Sequence, residues 1–246
     1  MLATSTSRLA ELVHAVRGRR LVATVIVAAV TIAAASLVVS RSSLLHLRHL
    51  EVVGTTNLTR AEVLRIAGLS SSTNVLWLDP GAVERRLESD PWVATATVSR
   101  RLPGTIRISV VERAPVAMIR DEGGFTLLAG DGVALSTVEV EPTLPEIVVV
   151  AGSSPRSGSA QAQAVAAGAI AGLDGGRRPA VVRAVVRAGA LTVELDGGTR
   201  VEFGEPTGIE DKAAAARRIL RWATAQRASV ATVNVIAPDS PTATFA

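Results

Sequence analysis

The nineteen positions from Leu21 to Val39, LVATVIVAAVTIAAASLVV, contain no charged side chain. Wound as a helix at 1.5 Å per residue they reach about 28 Å, close to the roughly 30 Å hydrocarbon core of a bilayer. A charge at the centre of such a segment costs about 2.5–3.5 kcal/mol on insertion scales, so its absence has weight. The run therefore predicts one transmembrane helix over residues 21–40, with 1–20 as a short tail. Arg8, Arg17, Arg19 and Arg20 precede it against the single acid Glu11, while only Arg41 and Arg48 follow closely. That imbalance predicts a single-pass type II protein with a cytoplasmic N-terminus and an extracytoplasmic bulk. A cleaved signal peptide is the rival, because Ala33-Ala34-Ala35 offers an A-x-A site. Its apolar region would be longer than the usual 7–15 residues or so, and cleavage would strand Leu37-Val38-Val39 at a new terminus.

Composition removes most catalytic chemistry. The chain of 246 residues has no cysteine and no tyrosine, and its histidines are His14, His46 and His49. Beyond residue 49 neither a Ser-His-Asp triad nor a histidine-ligated metal is available, and no phosphate-cradling glycine loop is present. The remaining enzymatic route is a carboxylate pair such as Glu139 with Glu141, as in a cell-wall hydrolase; two neighbours in a loop are weak support for it. We expect a protein that is not an enzyme, with no cofactor, metal or small-molecule substrate. The net charge of +4 and six scattered aromatic residues do not make a nucleic-acid surface.

The hydropathy pattern predicts an α+β chain. Leu50 and Val52 alternate before Gly54, and Thr59-x-x-Glu62 is a capping box opening a helix to about Ala67. Asp79-Pro80 starts a second helix with Val83 and Leu87 on one face. Val93–Arg100 and Thr105–Val111 are two period-2 runs around Leu102-Pro103-Gly104, giving a β-α-α-β-β order. Further strands are expected at 116–119, 125–128, 147–150, 181–186, 191–195 and 200–203, helices at 160–173 and 209–225, and a final strand at 231–236. Pro238 and Pro241 are expected to end regular structure, leaving 238–246 as a tail. A terminal strand so placed would be a sheet edge with unpaired N–H and C=O groups.

The segments LEVVGTTNLTRAEVLRIAGLSSSTNVLWLD and DPWVATATVSRRLPGTIRISVVERAPVAMI, in this order after a single span, resemble the bacterial cell-division family FtsQ, also called DivIB. The resemblance is strongest over residues 47–119. It implies a POTRA domain at 44–113 and a mostly antiparallel β-domain with flanking helices at 114–237. It also implies a non-enzymatic scaffold at the division septum that links early and late septal proteins, with bitopic partners of the FtsB (DivIC) and FtsL type beside other divisome membrane proteins. Lys212 and Leu195-Asp196-Gly197-Gly198 fit the family's late pattern. Asn234 and Ala129 stand where it often has aspartate. A POTRA-containing envelope assembly or export factor is the alternative.

The expected partner surface is the strand Ala231, Thr232, Val233, Asn234, Val235 and Ile236, pairing with an extended segment of an FtsB-like protein. Trp222, which spacing puts outside the apolar stripe of its helix, and Phe245 join it. Trp77 and Trp92 are expected in the core. Arg100-Arg101 reads as a solvated strand end, Glu112-Arg113 as a surface ion pair, and Gly168-x-x-x-Gly172 as incidental.

Overall fold

The computed structural model describes residues 24–38, 40, 42, 45–150, 158–174 and 181–246. Residues 24–38 form a helix (α1) whose side chains are exposed throughout. No helix among the described residues is long and apolar enough to cross a membrane; of the span predicted at 21–40, positions 21–23 and 39 lie outside the described residues. The tail at 1–20 and most of the loop GSSPRSGS do so too.

The chain divides into two compact units. One takes in the residues up to Leu87 and Thr95–Val110; the other is Glu88–Ala94 with Val111–Ala246.

The first unit is a three-stranded sheet with two helices, in the predicted β-α-α-β-β order. The elements are β1 (His49–Val53), α2 (Arg60–Ala67), α3 (Pro80–Glu88), β2 (Val93–Arg101) and β3 (Thr105–Glu112), and the sheet order is β1-β3-β2. The capping box forms as written. Thr59 N–H donates to Glu62 Oε2 at 2.7 Å and Glu62 N–H to Thr59 Oγ1 at 3.3 Å, satisfying two donors that a helix start leaves open. The Thr59 N–H and hydroxyl hold the Glu62 carboxyl below the usual carboxylate range. Gly68 then closes α2 in the left-handed conformation. Ile106, Ile108 and Val110 on β3 are buried, as are Val63, Val83 and Leu87 on the helices. The alternation on β3 and the helical spacing on α3 thus mark the buried faces. Glu84 turns back to accept from Val98 N–H at 2.7 Å.

The second unit is built on a nine-stranded sheet, ordered β12-β11-β10-β9-β8-β7-β4-β5-β6. Its strands are β4 (Pro115–Asp121), β5 (Gly124–Ala129), β6 (Ala134–Val138), β7 (Glu146–Val149), β8 (Val181–Arg187), β9 (Ala190–Leu195), β10 (Arg200–Gly204), β11 (Val230–Asn234) and β12 (Thr242–Phe245). Most pairings are antiparallel. The parallel ones are β4 with β7, β7 with β8, and β10 with β11. Parallel neighbours cannot be joined by a tight turn, and the last two pairs are bridged by helices, α4 (Gly158–Leu173) and α5 (Ile209–Gln226). One core joins both helices to the sheet: Ala166, Ala169, Ile170 and Leu173 from α4, Ala213, Ala216 and Ala223 from α5, and Leu191, Val193, Val201 and Phe203 from the strands.

Small residues let α4 and α5 approach closely. A Cβ built on Gly172 would stand 2.7 Å from that of Ala213, and the Arg217 guanidinium donates to the Gly172 carbonyl. The glycine pair dismissed as incidental therefore has a packing role at Gly172.

Trp92 packs with Leu127, Ala129 and Leu135 in a satellite cluster, in agreement with its expected core role. Arg113 fastens the same region. It donates to the carbonyls of Pro91 and Val93 and pairs with Asp131 at 2.7 Å, so its ionic partner is Asp131. Burial alone would raise the Asp131 carboxyl; the Arg113 hydrogen bond and the Val133 N–H outweigh it and bring the group below its ordinary value.

Two sequence expectations fail here. Trp77 is 68% exposed, because Arg100 donates to the carbonyls of Leu76 and Leu78 on either side of it and holds that stretch against the strand end. Arg100 is thus engaged and not merely solvated. The stretch expected to be a tail carries β12: the chain reverses over residues 235–241 and pairs back, so Pro238 and Pro241 sit in a turn.

Candidate partner-binding edge

β10, β11 and β12 close one end of the nine-stranded sheet. β10 and β11 run parallel with Val201 opposite Val233 and Glu202 opposite Asn234. β12 lies antiparallel on the other side of β11, with Val233 opposite Ala243 and Asn234 opposite Thr242. The predicted strand 231–236 is thus observed as β11, one residue earlier at its start and two shorter at its end, and it is an inner strand. The edge is β12. Among the described residues no strand lies beside its main-chain groups on the side away from β11.

The expected interface residues separate by burial. Val233 and Val235 are fully buried in the core against the helices. Val235 N–H donates to the Glu202 carbonyl at 2.9 Å. Neither the side chain nor the N–H of Val235 is available to another chain, so Val235→Pro would test folding. Ala231, Thr232 and Asn234 are half-buried, and their backbones are taken up between β10 and β12. Ile236 is exposed beyond the end of β11.

Trp222 and Phe245 are brought together. Their ring centroids are 5.9 Å apart with planes at 62°, an edge-to-face pair. Trp222 is 53% and Phe245 49% exposed. Spacing had already placed Trp222 off the buried stripe of α5, where Ala213, Ala216 and Ala223 face inward. Nothing local to the sequence pointed Phe245 at it. That follows from the register of β12, which sets Phe245 opposite Val230 just after α5.

Asn234 fixes the end of β11. Its Nδ2 donates to Glu202 Oε2 at 3.1 Å and its Oδ1 accepts from Ile236 N–H at 3.1 Å. The amide both donates and accepts; a carboxylate could only accept. Asn234→Asp therefore puts a second negative charge against Glu202 and loses a hydrogen bond to a charged group, costing about 1.5 kcal/mol. Denaturant unfolding at neutral pH should show that loss. Asn234→Ala, which removes the same hydrogen bond without adding a charge, should lose less; an equal loss in the two variants would refute the like-charge account.

Lys212, on the first turn of α5, is the one buried charged side chain among the described residues. Its Nζ donates to the carbonyls of Phe203 at 2.9 Å and Glu205 at 2.8 Å, tying the end of β10 to the start of α5. Among the described residues no group of three or more His, Cys, Asp or Glu side chains could hold a metal ion. Glu141, offered as half of a carboxylate pair, is instead salt-bridged to Arg120 at 3.3 Å.

A family model for the FtsQ-type POTRA domain matches residues 45–113. The cell division protein FtsQ of Mycobacterium leprae is 31% identical over 200 residues, 79% of this chain and 54% of that protein. FtsQ of Mycobacteroides abscessus is 28% identical over 204 residues, 81% of this chain and 61% of that protein. The chain thus spans little more than half the length of these two curated relatives, and still less of FtsQ of Bradyrhizobium diazoefficiens, of which it matches 24% at 38% identity. Among solved structures, the major extracytoplasmic domain of the cell division protein DivIB from Geobacillus stearothermophilus matches 47% of this chain and 96% of that chain, with 19% identity and a TM-score of 0.33.

Proposed function

The chain belongs to the FtsQ/DivIB family of bacterial cell-division proteins, and from that premise we propose that it is a non-enzymatic scaffold of the division machinery. In this reading one span over residues 21–40 anchors it, with the N-terminus cytoplasmic and both folded units outside the cytoplasmic membrane at the septum. The POTRA domain occupies about 44–113 and the β-domain follows. The anchor is supported by the uncharged run and by α1, whose valines and isoleucines are exposed on every side; a helix apolar all round is stable only where water is excluded.

The partner is an FtsB/DivIC-like bitopic protein, with an FtsL-like protein in the same assembly. The observation that carries this is the open edge of β12 beside the exposed Trp222–Phe245 pair. Main-chain hydrogen bonds to an added strand would supply affinity, and the aromatic pair would supply a side-chain anchor. The interface sits one strand further out than the sequence pattern suggests.

Trp222→Ala and Phe245→Ala should each weaken co-purification of the FtsB-like protein by ten- to a hundredfold, about 1.4–2.8 kcal/mol on the scale of interface hot spots. The folded content seen by circular dichroism should not change, since both rings are half in solvent. A fluorescent fusion of the full chain should mark the septum. Undiminished co-purification by both variants would remove β12 as the interface. An even envelope distribution would favour the reading as an assembly factor instead.

A further inference from the structure

We propose that the end of the POTRA domain carrying Trp77 rests on the outer surface of the membrane, with the indole seated among anionic lipid headgroups; the proposal depends on the anchored reading above. Trp77 lies in the first unit, in the stretch between Val75 and Leu78, and its ring is largely in solvent. An indole with an apolar body and one N–H donor is poorly served by water alone and is suited to a bilayer interface.

This stretch is stapled to the end of the apolar helix. Asn74 Nδ2 donates to the Ser40 carbonyl at 2.8 Å. Val75 N–H donates to the Leu45 carbonyl at 2.8 Å and Leu47 N–H to the Thr73 carbonyl at 2.9 Å. Trp77 is three residues beyond Asn74, so its backbone lies within roughly 10 Å of that staple. The headgroup layer outside the hydrocarbon core is about 5–8 Å deep. With the membrane ending near residue 40, Trp77 is within reach of it.

The ring is also presented and not left loose. Arg100 Nη1 holds the Leu76 carbonyl at 2.7 Å and the Leu78 carbonyl at 2.9 Å. Arg100 leads into the β2–β3 turn, where Arg101 and Leu102 are exposed, Leu102 by 56%. The same turn is pinned to the chain leaving the helix, since Gly104 accepts from the N–H groups of Arg48 and His49. Arg48 is exposed. The acid nearest Trp77 in sequence, Asp79, is paired to Arg85 at 3.9 Å. Exposed apolar groups beside Arg48 and Arg101 at a membrane-proximal end match a surface carrying anionic lipid.

The test uses the full chain with Trp92→Phe and Trp222→Phe, so that Trp77 is its only indole, reconstituted in phosphatidylcholine–phosphatidylglycerol vesicles. Acyl chains brominated near the headgroup serve as the quencher. A sister chain with Trp77→Phe and Trp92→Phe keeps Trp222 alone. Both should float with the vesicles and resist alkaline extraction. Trp77 emission should shift to the blue and lose intensity to brominated lipid, more so as phosphatidylglycerol rises, while Trp222 emission should do neither. Quenching of Trp77 no greater than that of Trp222, in chains that float, overturns the proposal and leaves the anchor standing. Failure to float overturns the anchored reading and the proposal with it. Because the chain has no cysteine, Trp77→Cys in the otherwise unaltered protein, labelled with a polarity-sensitive dye, gives the same reading should the double substitutions disturb folding. Dye emission unaffected by vesicle composition would count against the proposal.

Discussion

Gly54→Ala is expected to destabilise the first unit by roughly 3–4 kcal/mol, the largest effect of any single methyl group considered. Gly54 follows β1, and β1 pairs in parallel with β3 so that Val53 lies opposite Ser109. Its φ is +88°, and a Cβ built on it would stand 2.0 Å from the Val110 carbonyl oxygen. Two costs add. A side chain at positive φ costs about 1–2 kcal/mol by itself. The clash is with main chain and not with a flexible tip, so relief requires β1 and β3 to part. Gly189→Ala separates the terms: φ there is +80°, but nothing lies within 4 Å of the added Cβ, so only the backbone cost of about 1–2 kcal/mol remains. Hydrogen exchange resolved by peptide should show β1 and β3 amides losing protection in Gly54→Ala, with a smaller loss in β8 and β9 in Gly189→Ala. Equal losses would mean that the contact with Val110 is absent in solution.

Lys212→Met should cost about 2 kcal/mol, confined to the β10–α5 corner. The methionine keeps most of the volume and removes the ammonium group. The Phe203 carbonyl then loses its ammonium donor, and a buried acceptor left without a partner costs about 1–3 kcal/mol, while the exposed Glu205 carbonyl keeps the Thr207 N–H at 2.8 Å. Against this, the cost of burying a cation disappears, which limits the net loss. Exchange in α5 and β10 should quicken while the first unit is unaffected. A variant as stable as the parent would mean that the ammonium is held at no net gain.

These cases show where the sequence was readable. The capping box at Thr59 and Glu62 was legible because both partners lie within one helical turn, and β3 because its alternation has one buried face. Gly54 could be noted but its neighbour could not, since Val110 is fixed by a long-range pairing. Lys212 sits in IEDKAAAARR, which reads as a solvated first turn; only the return of β10 beneath it buries the amine. β6 was missed because ALSTV is short and follows two closely spaced turns. β12 was missed for a related reason. Pro238 and Pro241 signal a break, and a break followed by four residues gives no local hint that the chain pairs again. That error moved the candidate edge inward to β11, while Trp222 and Phe245 lie together beside the observed edge strand. Trp77 was misjudged on size: a tryptophan is usually buried, and what exposes this one is the grip of Arg100 on the carbonyls flanking it.

The partition of the chain has a consequence for how the protein comes apart. The polypeptide passes between its two units after Leu87, after Ala94 and after Val110, so the boundary is crossed three times and not by one linker. A protease nick between Leu87 and Glu88 would leave 95–110 covalently tied to the second unit yet still paired, through β3, with β1 of the first. The nicked molecule would hold together in native buffer and separate only when denatured. Nor can the second unit be obtained by cutting at residue 113, since that discards Trp92 and opens the cluster around Leu127 and Leu135 to water. To a severing enzyme, and to anyone choosing fragment ends, the two units behave as a spliced rope.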